Sequence, residues 1–215
     1  MDDKKIPVVK DNATHITKQN IIDIADRLFM TYGYRAVSTR KIADACGLTQ
    51  PALYHHFKNK KTIYLEVVQA NMRRTKLAIK KIVHQSNRLE MRIESLSYYM
   101  LMNHEVDFNQ MFHDVRHEMD EETQKKMRVW WLDSYLNPVV DILKEAVNEK
   151  EIKSLEILET NEVELAYLLL DFIKSSFPNQ QREWGVSERR QEANRKSKLI
   201  SKLFLNGIGS SKDLE

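Results

Sequence analysis

At 215 residues, 42% hydrophobic and 30% charged, the chain can form a sizeable core, and its 5 glycines and 4 prolines favour long helices over tight turns. The single cysteine, Cys46, excludes an internal disulfide and a multi-cysteine zinc site. The net charge of +3 hides an asymmetry, with 13 Lys/Arg against 7 Asp/Glu in residues 1–75 and 21 against 24 in the rest, so the first third is the part that attracts a polyanion.

Residues 1–16 read as a loose arm: Pro7 interrupts a short apolar patch and no helical period develops before Ile16. This N-terminus is mixed in charge, unlike a signal peptide or anchor, and stretches such as residues 166–170 fall far short of the roughly 20 apolar residues that span a bilayer. A soluble, cytoplasmic protein with no membrane partner is expected. The first helix starts after Thr17, carries Ile21, Ala25, Leu28, Phe29 and Tyr32 on one apolar stripe, and stops at Gly33. A second helix covers about 39–45 and a third about 50–56. A fourth starts after Asn59 and continues past Met72 through the basic run from Arg73 to Lys81.

Asn87 and Glu90 form a candidate capping box for a helix to about His104, and Asp107 caps the next, to about Glu118. Asp120 caps a longer helix through Trp130 and Trp131, which Pro138 must kink or restart because it lacks an amide donor. Asn161 and Glu164 form a second candidate box, opening a helix to about Phe177. A loop follows over 178–187, then a last helix to about Asn206, stopped by Gly207.

Chemistry concentrates in residues 37–60. A helix-turn-helix pair needs a small residue at the crossing, a glycine able to take positive φ in the turn, and apolar residues to set the second helix at a steep angle. Ala43, Gly47 and the set Ile42, Leu48 and Leu53 fill those places. Thr49 caps the second helix, and Pro51 sits in its first turn, where a missing amide hydrogen costs little. With Leu53 and Phe57 facing inward, Gln50, Ala52, Tyr54 and His55 remain outside. Glutamine can bond base edges in a major groove, and alanine and proline can touch a thymine methyl. Tyr54, His55 and the Thr39 hydroxyl suit phosphate, as does Lys60 at the start of the fourth helix.

The segments 21–34 and 38–60, with Ile63, Leu65 and Val67 after them, resemble the tetracycline-repressor (TetR) family of bacterial transcriptional regulators. The resemblance covers about residues 17–68, and the Gly33-Tyr34 break and the Leu-Tyr-His-His-Phe-Lys-Asn-Lys ending make it specific. It implies an all-α protein with a three-helix DNA-binding head over 17–68. A larger helical body over 69–215 would bind a small-molecule inducer or corepressor and form a homodimer on a double-stranded operator. Carried onto this chain, base contacts come from Gln50, Pro51, Ala52 and Tyr54, and phosphate contacts from Thr39, Arg40, Thr49, His55 and Lys60. The Gln50-Pro51 pair replaces the small residue or glycine that many members carry there. Nothing in the chain calls for a cofactor or a catalytic residue.

Three other features carry competing readings. His113 and His117 stand i, i+4 on one helix with Asp114 beside them, a spacing that can hold a divalent metal and that supports a rival, a helical metal-dependent enzyme. No further ligand is fixed by the sequence, so no metal is expected. A second rival is a DNA-binding protein without a small-molecule ligand. Met100, Phe112, Trp130 and Trp131 belong to an aromatic and methionine-rich population that is either core or the lining of an adaptable pocket. Leu165, Leu168, Leu169, Phe172, Ile173 and Phe177, with Leu199, Ile200, Leu203 and Phe204, put an excess of apolar surface on the last two helices. That excess fits a helix-on-helix dimer or a buried core.

Overall fold

The computed structural model describes residues 18–103, 108–177 and 185–208, which form ten α-helices and one π-helical turn, without strands among them. In chain order these are α1 (Lys18–Ala36), α2 (Thr39–Cys46), α3 (Gln50–His56), α4 (Lys60–Val83), α5 (Leu89–Met102), α6 (Phe108–Glu118), α7 (Glu121–Trp131), the π-helical turn Leu132–Leu136, α8 (Asn137–Asn148), α9 (Glu162–Ser175) and α10 (Val186–Ile208). The all-α class expected from composition is the observed one. Thr17 and Asp107, expected caps, and most of the loop 178–187 lie outside the described residues.

The chain divides into two compact units, and the division is not contiguous. One comprises Met1–Asn71 and Asn109–Met119; the other comprises Met72–Phe108 and Asp120–Glu215. The body expected to run unbroken from residue 69 therefore gives up α6, which packs in the first unit.

In the first unit Ile21, Ala25, Leu28 and Phe29 of α1 are buried together with Ile42, Ala43, Leu53, Phe57, Ile63 and Tyr64. Phe29 stands edge-on to Tyr64 at 5.0 Å between ring centroids, and Tyr34 lies 4.9 Å from Tyr64, an arrangement that aromatic quadrupoles favour. Tyr32, expected on the buried stripe, is at the surface, where the Lys41 ammonium sits 3.4 Å from its ring centre. Gly33 has φ 75° and ψ 164°, which breaks the helical path before the last turn of α1, to Ala36.

In the second unit α10 packs along α5, and α8 packs along α9. Small hydroxyls, Ser97 on α5 and Ser197 and Ser201 on α10, are buried there, and Ser201 donates to the Glu90 carbonyl at 3.0 Å. Asp120 caps α7 by accepting the Thr123 N–H at 2.9 Å. Pro138 restarts the helix: α7 ends at Trp131, the π-helical turn follows, and α8 carries the proline in its first turn.

Local signals failed at the start of α5 and the end of α10, and held in part at the start of α9. No Asn87–Glu90 box forms at α5. Arg88 is the N-cap and makes no side-chain cap bond, Glu90 pairs with Arg88, and the Leu89 N–H is met by Glu151, 62 residues away. At α9 Asn161 accepts the Glu164 N–H, but the Glu164 carboxylate accepts from the Thr160 hydroxyl instead of returning to the cap. α10 runs through Gly207, which lacks the positive φ of a helix-ending glycine.

Candidate nucleic-acid interface

Each part of residues 37–60 has a local cause. Ser38, extended at φ −97°, caps α2 by accepting the Lys41 N–H at 3.1 Å. Gly47 closes α2 in the left-handed region at φ 67°, and the Gly47 and Leu48 N–H groups return to the Asp44 and Ala43 carbonyls. A Cβ at Gly47 would meet no heavy atom within 4 Å, so a side chain there is strained but not crowded. Gly47→Ala should therefore cost about 1 kcal/mol by backbone strain alone, with Gly47→Asn costing less, as read by chemical denaturation.

Thr49 then caps α3, its hydroxyl accepting the Ala52 N–H at 3.3 Å, with Pro51 in the first turn. Leu53 and Phe57 are buried and pin α3 against the unit's core. Gln50, Pro51, Tyr54, His55 and His56 are exposed and Ala52 is half-buried. The structure thus brings the four expected base-contact residues onto one accessible helix.

Thr39 joins α2 to this face. Its hydroxyl lies 3.2 Å from the Tyr54 hydroxyl and accepts a long bond from the Gln50 side-chain amide at 3.5 Å. Arg40 is exposed and only loosely paired with Asp44 at 3.9 Å, so its guanidinium can reach an anion at small cost. Thr49, the cap of α3, and His55, near its end, are both exposed. Cys46, the lone thiol, is buried and its pKa is pushed up to about 11 by that burial, the opposite of an activated nucleophile.

Lys60 departs from the expectation. Its ammonium is turned inward, donating to the Tyr34 carbonyl at 2.9 Å and lying 4.1 Å from the centre of the Tyr34 ring. Burial lowers its pKa, and the Glu118 and Asp114 carboxylates act in the opposite sense. The α4 N-terminus is capped by Asn59, which accepts both the N–H and the hydroxyl of Thr62.

His113, Asp114 and His117, the basis of the rival metal-enzyme reading, have separate surroundings. Asp114 is 4% exposed and accepts the Tyr34 N–H at 2.9 Å, 80 residues back along the chain. Both histidines are exposed, with ring centroids 4.5 Å apart. Among the described residues no three His, Cys, Asp or Glu side chains gather as a metal would require. Sequence reasoning missed Asp114 in this role, because its partner is a backbone amide freed only by the break at Gly33.

Of the pocket candidates, Met100, Trp130 and Trp131 are half-buried, and the Phe112 side chain lies outside what is described. Trp131 stacks on Tyr135 and Tyr167, and the Tyr135 hydroxyl meets Thr75 at 3.0 Å in the interior. Of the dimer candidates, Leu165, Leu169, Ile173, Ile200 and Phe204 are buried within the single chain and Phe172 is half-buried. Leu199 and Leu203 remain exposed at 46% and 51%, and Leu168, from the same apolar run of α9, at 60%.

Residues 21–67 match the family of bacterial regulatory proteins called the tetR family. The chain is 43% identical over 51 residues to the HTH-type transcriptional regulator AcrR of Shigella flexneri, covering 24% of each chain. It is 40% identical over 52 residues to the HTH-type transcriptional repressor KstR2 of Rhodococcus jostii, covering 24% of this chain and 26% of that one. The match thus spans about a quarter of these curated relatives' length. Along nearly the whole chain the fold is similar to that of the transcriptional regulator FadR of Bacillus subtilis, solved with stearoyl-CoA, with TM-score 0.68, 19% identity, and 89% and 100% of the two chains covered.

Proposed function

We propose, from the membership of this chain's N-terminal domain in the tetR family, that the protein is a cytoplasmic transcriptional regulator. It binds a pseudo-palindromic operator as a homodimer, most simply as a repressor that occupies a promoter. The observation that carries this reading is the accessible face of α3. Gln50, Pro51, Ala52 and Tyr54 stand outward on a helix whose inner side, Leu53, is fully buried, and Thr39 and Arg40 flank it on α2. Gln50 and Tyr54 supply the groove contacts, Thr39, Arg40, Thr49 and His55 the phosphate contacts that set register. A regulatory role, with no catalysis, accounts for these residues, and no helix among the described residues is long and apolar enough to cross a membrane.

A mobility-shift and footprinting experiment on the DNA upstream of the protein's own gene tests this. Two protected half-sites centred about 10 base pairs apart, or a multiple of that, are expected for a dimer. Uniform protection without half-sites would favour a nonspecific DNA-binding protein.

Leu199 and Leu203, one turn apart on α10, with Leu168 on α9, supply the dimer face, since exposed apolar side chains in such a set mark an interface. Because both α10 residues are exposed in the single chain, Leu203→Glu should leave folding intact and shift sedimentation from dimer to monomer, with operator binding lost in parallel. The body binds a small-molecule effector, and a long-chain acyl-CoA, the ligand of the Bacillus subtilis neighbour, is the first probe for it. An effector that favours a spacing of the two heads incompatible with successive grooves releases DNA without touching it.

A further inference from the structure

We propose that the outer face of the second half of α4 docks on the acidic turn before α9 of a second copy of this chain, and that this contact joins dimers to one another. From residue 72 to residue 89 the chain holds six Lys/Arg and no Asp/Glu. The helical period sorts this stretch into two sides. Met72, Thr75, Ile79 and Val83 are buried, whereas Arg73, Leu77 and Lys80 share the outer side, with Arg74 and Lys81 beside them. Lys76, at the edge, pairs with Asp133 at 2.7 Å, while Arg73, Lys80 and Lys81 have no carboxylate partner among the described residues.

Leu77 stands in the middle of these cations at 69% exposure. A single exposed leucine needs no partner on its own account. What gives this one meaning is its counterpart. Among the described residues the one large apolar side chain more exposed than Leu77 is Ile157, at 73%, and it lies in a segment, 156–164, with four glutamates and no Lys or Arg. The turn that carries it is ordered. The Ile157 and Leu158 N–H groups donate to the Ser154 carbonyl at 3.1 and 3.2 Å, and the Thr160 N–H donates to the Leu155 carbonyl at 3.1 Å. Glu159 is held in the left-handed region at φ 49°, which a glutamate keeps only where the surrounding bonds enforce it. Ile157 is thus presented on a fixed turn, and little ordering cost is left to binding.

Both patches belong to the second unit, and neither covers the other within one chain, since both apolar centres are exposed. They are opposite in the charge of their rims and alike in presenting an apolar centre. Every copy carries one of each. The contact joins unlike patches, so it is heterologous, and it adds dimer to dimer instead of closing the pair built on Leu199 and Leu203. Burial of Leu77 and Ile157 supplies the attraction, and the charged rims supply orientation and sensitivity to salt. A contact on this scale is weak and transient.

Sedimentation equilibrium of the full chain without DNA, at about 50 mM and about 500 mM salt, tests this, because the higher value cuts the reach of exposed charges to about 4 Å. The association constant for dimers joining dimers should fall at least tenfold between the two. Lys80→Glu/Lys81→Glu and Glu156→Lys/Glu159→Lys should each abolish the low-salt association. The fourfold variant, whose net charge equals that of wild type, should regain part of it. Leu77→Ser changes no charge and should weaken association roughly tenfold, a loss that general attraction between charged proteins would not produce. All five positions are exposed, thermal unfolding checks each variant, and glutamine replaces the reversed charge in any that fails to fold.

A wild type whose mass is the same at both salts overturns the inference, as does a fourfold variant that regains nothing or a Leu77→Ser protein that associates like wild type. A wild type that does not self-associate but holds random duplex through Lys80 and Lys81 would assign the face to DNA and overturn it as well. A high-salt mass of one chain would contradict the dimer of the regulator reading, and the salt-dependent rise above that mass would still decide this inference.

Discussion

Tyr54→Ala is expected to weaken operator binding by roughly five- to 150-fold, the range of about 1–3 kcal/mol for loss of a groove contact, while the dimer and the melting temperature stay as in wild type. Two features separate this from a stability effect. Tyr54 is 47% exposed, so truncation leaves no cavity. Its hydroxyl is held by the Thr39 hydroxyl at 3.2 Å, which fixes the ring on the outer face of α3 before DNA arrives. Tyr54→Phe divides the contribution: a small loss assigns the contact to the ring, and a loss equal to that of Tyr54→Ala assigns it to the hydroxyl and its link to α2. Unchanged binding by both variants would remove Tyr54 from the interface.

Phe29→Ala is the substitution expected to damage the fold most. Phe29 is 1% exposed and packs edge-on against Tyr64 and beside Tyr34. Losing a buried phenyl ring leaves a cavity that neighbouring helices fill only in part, at a cost of about 3–5 kcal/mol. The loss is not confined to α1. Tyr34 precedes the turn that leads to α2, and Tyr64 lies on α4, so the cavity loosens the frame that holds α3. Urea denaturation should show an unfolding free energy lowered by that amount, and with it a lower midpoint, and operator affinity should fall even where the protein stays folded. Phe29→Leu, which keeps most of the volume, should cost less than half as much. Equal costs for the two would mean that the aromatic contacts carry the stability, and not the filled volume.

How much of this was legible in the sequence depends on the range of each contact. Gly47 and Thr49 act within four residues of themselves, and the φ of one and the cap bond of the other are as their residue types require. Leu53 and Phe57 are four apart and buried, as the helical period indicates. The period says less for α9 and α10. It identifies Leu165, Leu169 and Ile200 as apolar, but whether a neighbouring helix of the same chain or a second copy covers them is decided by packing against α5 and α8.

Long-range electrostatics were the least legible. Asp114, weighed in the sequence only as part of a rival metal cluster, meets the amide of Tyr34, exposed by the irregular backbone at Gly33. Lys60 reads as a phosphate ligand from its place at a helix start, and its contact with the Tyr34 carbonyl, 26 residues away, could not be read from that place. The start of α5 shows the same limit: the expected Asn87–Glu90 box does not form, and the Leu89 amide is met by Glu151 from 62 residues away. In each case tertiary structure supplied a partner that no local pattern in the sequence indicated.

The central claim is that α3 reads DNA sequence as one half of a symmetric pair. Selection of bound duplexes from a randomised pool with the purified protein, at moderate and at high salt, tests it most directly. The expected result is enrichment of one pseudo-palindrome whose half-sites survive the higher salt, with enrichment abolished by Tyr54→Ala. Recovery of unrelated sequences whose binding vanishes as salt is raised, or of no duplex at all, would contradict it.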